Sequence, residues 1–335
     1  MENIIFLAYQ NLTSPIVLCF ALGMLAAFIQ SDLSIPQSVA KAMSIYLLFA
    51  IGFKGGVEIA IQGLTFDLAK SLVLGIILSL LIPWIGFFIL KATTNLKSID
   101  AAAVSSHYGS ISIVTFVAAT QILKASGIEY SGSIVAVAAV MEAPAIISAL
   151  FLLNWHSKKE KEHETLNKST IVEHQTPINE VFLNGSIILL LGAFLIGLIS
   201  GEKGFVEIKG LIVDPFKGVL CFFLLDMGLL AGRHFKEGIK FLNLKVVLFG
   251  IYMPILSALL TMVLALILEL EVGSLALLMI LAASASYIAV PAALRIALPK
   301  ANPAIYLTMS LAVTFPFNLT VGIPLYLMLA QMVSS

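Results

Sequence analysis

The segment Ser105-Ser106-His107-Tyr108-Gly109-Ser110-Ile111-Ser112, with Thr115 just beyond it, sets hydroxyls, an imidazole and a glycine inside an otherwise apolar run. A second run holds Ala283-Ser284-Ala285-Ser286-Tyr287-Ile288-Ala289-Val290-Pro291. Gly109 permits close approach or unwinding. Pro291 has no N–H and is expected to break a helix ladder and free carbonyls. Freed carbonyls and hydroxyls suit a hard cation such as Na⁺, and half-helix N-termini aim partial positive charge at an anion. We take Ser106, His107, Tyr108, Gly109, Ser110, Ser112, Ser284, Ser286 and Tyr287 as candidate substrate-binding residues. Against this stands a plainer reading, in which small residues merely let membrane helices pack closely. His107 fits a proton relay, a ligand contact or a helix-to-helix hydrogen bond equally well. No His, Cys or carboxylate set with metal-ligand spacing surrounds it.

Two further motifs are Met141-Glu142-Ala143-Pro144 and Thr314-Phe315-Pro316-Phe317-Asn318. An ionisable side chain in an apolar run is costly and reads by default as functional. Glu142 is therefore the first candidate for a coupling cation, with Asn318, Thr314 and Thr115 completing a candidate Na⁺ set. A structural, protonated Glu142 is the competing reading. Asp226 is a weaker candidate for the ion path. Lys54 and Glu58, four residues apart, are expected to share a helix face.

These motifs need elements that hold them at depth in an apolar medium. The chain has 335 residues, 60% of them hydrophobic and only 11% charged. That surplus exceeds what one soluble core hides, so a lipid bilayer must solvate part of it. Ten runs are long enough to span: Thr13–Ile29, Ala42–Ala60, Ser71–Leu90, Ile99–Leu123, Tyr130–Leu153, Phe182–Ile199, Phe216–Ala231, Val246–Leu268, Ser274–Ala297 and Ala304–Leu329. In lipid, separate runs of this kind must be helices, which bond their own backbone. The expected fold is an all-α polytopic membrane protein of ten transmembrane helices, with the fourth and ninth interrupted. Net charge is zero, which gives no basic surface for nucleic acid. Cys19 and Cys221 lie in apolar runs and read as small buried hydrophobes. Residues 1–10 carry no Lys or Arg, so the first apolar run is expected to be retained rather than cleaved as a signal peptide.

Residues 154–177 form the long polar stretch and read as a solvated linker. With this linker in the cytoplasm, that side collects thirteen Lys and Arg residues against five on the other, Lys54 uncounted. The excess places both termini outside. An offset of 176 residues aligns the halves without gaps from about Lys41 to Leu153. Lys41 falls on Lys217, Gly52 on Gly228, Gly56 on Gly232, Ser110 on Ser286, Lys124 on Lys300, Tyr130 on Tyr306 and Glu142 on Asn318. Five spans per unit is an odd number, so the two units are inverted, the usual ground plan of alternating-access transporters. The expected organisation is a first five-helix repeat at 1–154, a cytoplasmic linker at 155–178 and a second, inverted repeat at 179–335.

The segments Ser106 to Ser112, Met141 to Ala145, Ser284 to Ala293 and Val313 to Asn318 resemble the sodium-dependent bicarbonate transporter superfamily, a resemblance covering essentially the whole chain. It implies Na⁺-coupled import of bicarbonate across a bacterial plasma (inner) membrane, with Na⁺ as coupling ion and no other cofactor. It also implies a core of crossing interrupted helices, a second domain for oligomer contacts and a homotrimer. A small PII-like regulatory protein docks on the cytoplasmic face of cyanobacterial members. By motif, the resemblance carries over to Ser106, Gly109, Ser110 and Ser112, and to Ser284, Ser286 and Tyr287. Glu142 stands where the family has a carboxylate before its Ala-Pro or Ile-Pro step. The chain departs from the pattern at His107 and Tyr108, where cyanobacterial members are richer in glycine. That departure bears on substrate identity more than on fold.

Three other readings compete. A cation/proton antiporter, or another Na⁺-coupled organic-anion symporter, fits a similar inverted fold. An intramembrane serine protease needs a serine within reach of His107, yet sequence neighbours on a helix do not face each other. A sensor without flux needs an output domain, for which the linker is too short.

Overall fold

The computed structural model describes residues 13–333 apart from 64–65, 132–133, 139, 143, 146, 149–150, 153–184, 239–242, 288–289, 292–293, 295–297 and 299. The expected linker lies outside the described residues. Every regular element among those described is a helix. In chain order they are α1 (Pro15–Phe28), α2 (Gln37–Gln62), α3 (Phe66–Thr93), α4 (Ser98–Gly109), α5 (Ile113–Ala125), α6 (Gly185–Ile212), α7 (Phe216–Gly238), α8 (Leu244–Ala265), α9 (Val272–Ala283) and α10 (Pro303–Val333). Helical residues between 134 and 152 trace the fifth apolar run.

Local chemistry starts several of these helices. Ser14 caps α1, with Pro15 at its first position. Asn243 accepts from Val246 N–H at 2.9 Å to cap α8. Asn302 accepts from Ala304 N–H at 3.0 Å ahead of Pro303. A side-chain acceptor takes an otherwise orphaned N–H, and a proline at the first helical position has no donor to lose.

Among the described residues five helical stretches are long and apolar enough to cross a membrane: Gln37–Ile61, Leu68–Thr93, Ser98–Lys124 (which takes in α4 and α5), Leu244–Leu268 and Pro303–Val333. Val17–Phe28 and Val272–Ala283 are shorter apolar helices. The remaining expected runs are met differently. The fifth and ninth pass through residues that are not described, α6 bends sharply, and α7 carries Asp226 and Arg233. The exterior is apolar: on α3, Leu78 and Ile82 face inward while Ile76, Ile77, Leu80 and Leu81 are exposed. A helix apolar all round belongs in lipid or in a large core.

The outer helices pack in two reciprocal pairs. A Cβ on Gly23 of α1 would meet the carbonyl of Leu225 on α7, and one on Gly228 would meet the carbonyl of Phe20. A Cβ on Gly56 of α2 would meet the carbonyl of Phe194 on α6, and one on Gly197 would meet the carbonyl of Phe53. Contacts advance along both helices together, from Phe20 with Gly228 to Phe28 with Phe235, so α1 and α7 run parallel. The same holds for α2 and the first part of α6, where Gly56 meets Phe194 and Ala60 lies beside Gly201. By contact geometry Gly56 therefore corresponds to Gly228, one helical turn from the Gly56–Gly232 match of the 176 offset. At Gly201 the backbone turns to φ 57° and ψ −152°, where a side chain would be strained. The chain then folds back along α2, and Tyr46 Oη donates to Leu211 O at 2.6 Å. Lys54 places its ammonium 4.5 Å from the Phe216 ring centroid. Cys19 and Cys221 are partly buried free thiols that face each other across α1 and α7.

Inside this frame lie α4, α5 and α9, nearly all of whose side chains are buried. Their ends are tied across the chain. Asn302 N–H donates to Asp100 Oδ1 at 2.8 Å, joining the starts of α4 and α10. Ser131 N–H donates to Ser274 Oγ at 2.9 Å, joining the start of the fifth run to that of α9.

The Gly56→Ala variant puts a methyl group on the Phe194 carbonyl and is expected to destabilise the detergent-solubilised protein by about 1–3 kcal/mol. Gly192→Ala meets nothing within 4 Å and should leave the melting midpoint unchanged or slightly raised. Equal midpoints for the two variants would refute the close-contact reading.

Candidate functional site

The fourth run is interrupted where the sequence suggests. Helix α4 stops at Gly109, Ser110 is extended at φ −99° and ψ 169°, and α5 begins at Ile113. A Cβ on Gly109 would sit 2.2 Å from Pro83 Cγ, so only glycine admits α3 here. Ser112 caps α5, its Oγ accepting from Thr115 N–H at 3.2 Å and from Thr115 Oγ1 at 2.8 Å. The ninth run stops at Ala283, continues without helix through Ser284, Ala285 and Ser286, and is helical again at Val290 and Pro291. Pro291 thus lies beyond the non-helical residues, in helical conformation, and not at the point where α9 ends. Ser286 Oγ accepts from Val290 N–H at 3.5 Å. At each break a serine, Ser112 or Ser286, thus accepts from an N–H of the chain just beyond it.

The two breaks touch. Ser112 N–H donates to Ser284 Oγ at 2.8 Å. Ser286 N–H donates to His107 O at 2.8 Å, and His107 Nδ1 lies 2.5 Å from Ser286 O. Ser105, Ser106, His107, Ser110, Ser112, Ser284 and Ser286 are all buried. Each break is held by a polar residue from the run that follows it. Ser110 Oγ donates to Glu142 Oε2. Asn318 Nδ2 donates to Ala283 O at 2.9 Å and its Oδ1 accepts from Tyr326 Oη at 3.0 Å. Thr314 Oγ1 donates to Gly250 O at 2.9 Å and meets Tyr108 Oη at 2.7 Å. Pro254 denies Gly250 O its helical donor, and Thr314 supplies the replacement.

The candidate residues therefore fall into small groups. His107 and Ser286 join across the breaks, as do Ser112 and Ser284 with Thr115. Ser110 joins Glu142, and Tyr108 joins Thr314. Ser106 turns to its own helix, donating to Ala103 O at 2.7 Å, and Ser105 does likewise to Ala102 O. No serine hydroxyl bonds to the His107 ring among the described residues. Tyr287 Oη lies beside Ser112 but completes no hydrogen bond of normal geometry. Asp226 is buried on α7, and Arg233, further along the same helix, donates to Leu33 O at 2.8 Å. None of the hydrogen bonds among the breaks involves Asp226.

Sequence reading missed several supports. Ser79 donates to Met141 O at 2.5 Å, just before Glu142. Tyr306 stacks on His107 at 5.0 Å between centroids. Tyr326 holds Asn318. Tyr306 stood out only as the repeat partner of Tyr130, and a lone serine such as Ser79 carries no spacing signal. The π-helical turns Thr308–Thr314 and Asn318–Gly322 were also not foreseen. Such turns concentrate at functional sites.

Residues 15–331 match the family described as the Na⁺-dependent bicarbonate transporter superfamily. The chain belongs to that superfamily. The match takes in both breaks, Glu142 and Asn318, so the buried crossing lies within a transporter's family core. No curated protein matches the chain.

Thr314→Val keeps the shape but leaves Gly250 O and Tyr108 Oη without their partner. Each buried orphan costs about 1–3 kcal/mol, so the thermal midpoint measured without Na⁺ should fall by several degrees. An unchanged midpoint would show that these bonds do not hold α8 to α10.

Proposed function

We propose that the chain is a Na⁺-dependent symporter that imports a small inorganic anion, bicarbonate fitting best, by alternating access. The observation that carries this reading is the pair of buried helix breaks hydrogen-bonded to each other, with Glu142 at one and Asn318 at the other. Interrupted helices at matching positions are the usual place for a transporter's substrate and coupling ion. Family membership supports Na⁺ and bicarbonate as the pair. A Na⁺ bound near the anion offsets its charge, so each raises the affinity of the other.

The proposal includes ten spans in two inverted five-helix repeats, the second half of the chain repeating the first upside down. Reciprocal packing of α1 on α7 and α2 on α6 supports it. So do the two end contacts, Asp100 with Asn302 and Ser131 with Ser274, which join run starts that alternating spans put on one side. The Asp100 end, near Lys97 and Lys300, is then cytoplasmic along with the linker, and both termini lie outside a bacterial inner membrane. A homotrimer and a PII-like regulator on the cytoplasmic face extend the proposal by analogy with the superfamily.

One observation favours a second reading. Glu142 is a buried carboxylate at a break with one hydroxyl donor among the described residues, which is also what cation/proton exchange requires.

Proteoliposome uptake of labelled bicarbonate, with and without an inward Na⁺ gradient, tests the proposal. Uptake should require Na⁺. Glu142→Gln should raise the Na⁺ concentration for half-maximal uptake about tenfold or more, the loss of one charge-assisted contact. Bicarbonate uptake indifferent to Na⁺ would sink the symport. Proton-driven Na⁺ release with no anion requirement would establish the exchanger instead.

A further inference from the structure

His107 is fully buried at the contact between the two breaks. Its Nδ1 lies 2.5 Å from the Ser286 carbonyl oxygen. A carbonyl oxygen only accepts, so Nδ1 carries the proton and donates. In neutral imidazole the other nitrogen is then an acceptor only. The ring is also held in orientation by stacking on Tyr306 and by the reciprocal Ser286 N–H to His107 O bond. Nε2 has no partner among the described residues. A buried lone pair left in this way costs about 1–3 kcal/mol unless a donor reaches it.

We propose that His107 Nε2 is a specificity element of the anion site: it accepts a hydrogen bond from the O–H of a singly charged oxyanion, so the site selects anions that carry a hydroxyl over those that do not. The inference rests on the symport reading and sharpens its substrate class. Bicarbonate carries one O–H. Nitrate has the same charge, planarity and similar size but none. Against nitrate, the Nε2 lone pair faces an oxygen lone pair, and the site loses a bond and gains a repulsion. A site built to bond a ligand hydroxyl discriminates strongly against the analogue lacking it, because its own polar group is left orphaned. The Tyr287 hydroxyl, also without a hydrogen-bond partner among the described residues, is able to donate to an anion's charged oxygens, which Nε2 cannot do.

His107→Asn separates this role from the latch. The asparagine amide nitrogen falls near the position of Nδ1 and keeps the donor to Ser286 O, while nothing replaces Nε2. In Na⁺-driven uptake its KM for bicarbonate should rise about tenfold, the worth of one hydrogen bond, with kcat within twofold. The ratio of the nitrate inhibition constant to the bicarbonate KM should fall by a similar factor. Unchanged KM and unchanged ratio would overturn the proposal. A direct reading needs no change at position 107: His156, His163, His174 and His234 are replaced by Gln, and the remaining ¹⁵N-labelled histidine is followed by NMR in nanodiscs. The Nε2 resonance should shift with sodium bicarbonate and stay in place with sodium nitrate. An equal response to both, or to neither, overturns the proposal whether or not His107→Asn folds. A bicarbonate-specific shift without Na⁺-dependent uptake would support the His107 role while sinking the symport.

Discussion

A helix that stops inside an apolar medium leaves carbonyls at one end and N–H groups at the other, with no solvent to take them. The centre of this molecule is organised around that demand. Ser112 and Ser286 take N–H groups of the helices they precede. The Ser112 N–H goes to Ser284, and the Ala283 carbonyl goes to Asn318. Prolines inside α3 and α8 add to the demand. Pro254 frees the Gly250 carbonyl, which Thr314 then binds. The Ser112 N–H, the Ala283 carbonyl and the Gly250 carbonyl are each taken by another run, so the interruptions join the spans around them instead of weakening them. Each buried bond adds only about 1 kcal/mol net, but leaving one unmade costs more, and this asymmetry fixes the arrangement.

The outer helices are held by a different physics. Between α1 and α7, and between α2 and α6, glycines bring backbone onto backbone, with no Cβ to keep the helices apart. Such contacts are made of dispersion over a close-fitting surface and have no cheap alternative register. The hydrogen bonds between the breaks are few and specific, and the proposed symport would exchange some of them for bonds to a ligand. A rigid frame beside an exchangeable polar centre is what rocking of one bundle against another requires.

The sequence made the position of the first break legible, because Gly109 and its serines interrupt an apolar run in an unmistakable way. The second lies inside the Ala283–Pro291 segment that the sequence singled out, a few residues ahead of the proline. Pro291 suggested the interruption, yet the helix yields at Ser284 and Pro291 is itself helical. A proline tells where a helix cannot continue from behind, and that is also where one can begin. The glycine register shifted by one turn for a related reason: in α2, Gly52 and Gly56 both suit close packing, and only the geometry of α6 chooses Gly56. Partners such as Ser79, Tyr306 and Tyr326 were hidden because their role depends on which spans become neighbours. Among the described residues five helical stretches meet the length and hydropathy of a span, one of them, Ser98–Lys124, across the break at Ser110. Kinked or charged runs such as α6 and α7 do not show that signal as cleanly, since Gly201 breaks the first and Asp226 and Arg233 interrupt the apolar stretch of the second.

Glu142 and Asn318 fall on one another in the 176-residue register, and the comparison of their surroundings carries the argument for a cation. Asn318 is committed on both sides of its amide, the nitrogen to Ala283 O and the oxygen to Tyr326. It is a neutral clamp on its break. Glu142 presents two oxygens with about four acceptor positions and receives one hydroxyl, that of Ser110, among the described residues. The backbone just before it is fixed by Ser79 on Met141 O, so the carboxylate is held in place while its acceptor capacity stays largely open. A buried carboxylate in that condition needs a cation or a proton. The Ser110 hydroxyl at the break reaches it, and an oxygen of this kind is a ligand that a hard cation prefers. The proposed Na⁺ therefore belongs on the Glu142 side of the crossing, with the Asn318 side serving as its fixed, uncharged counterpart.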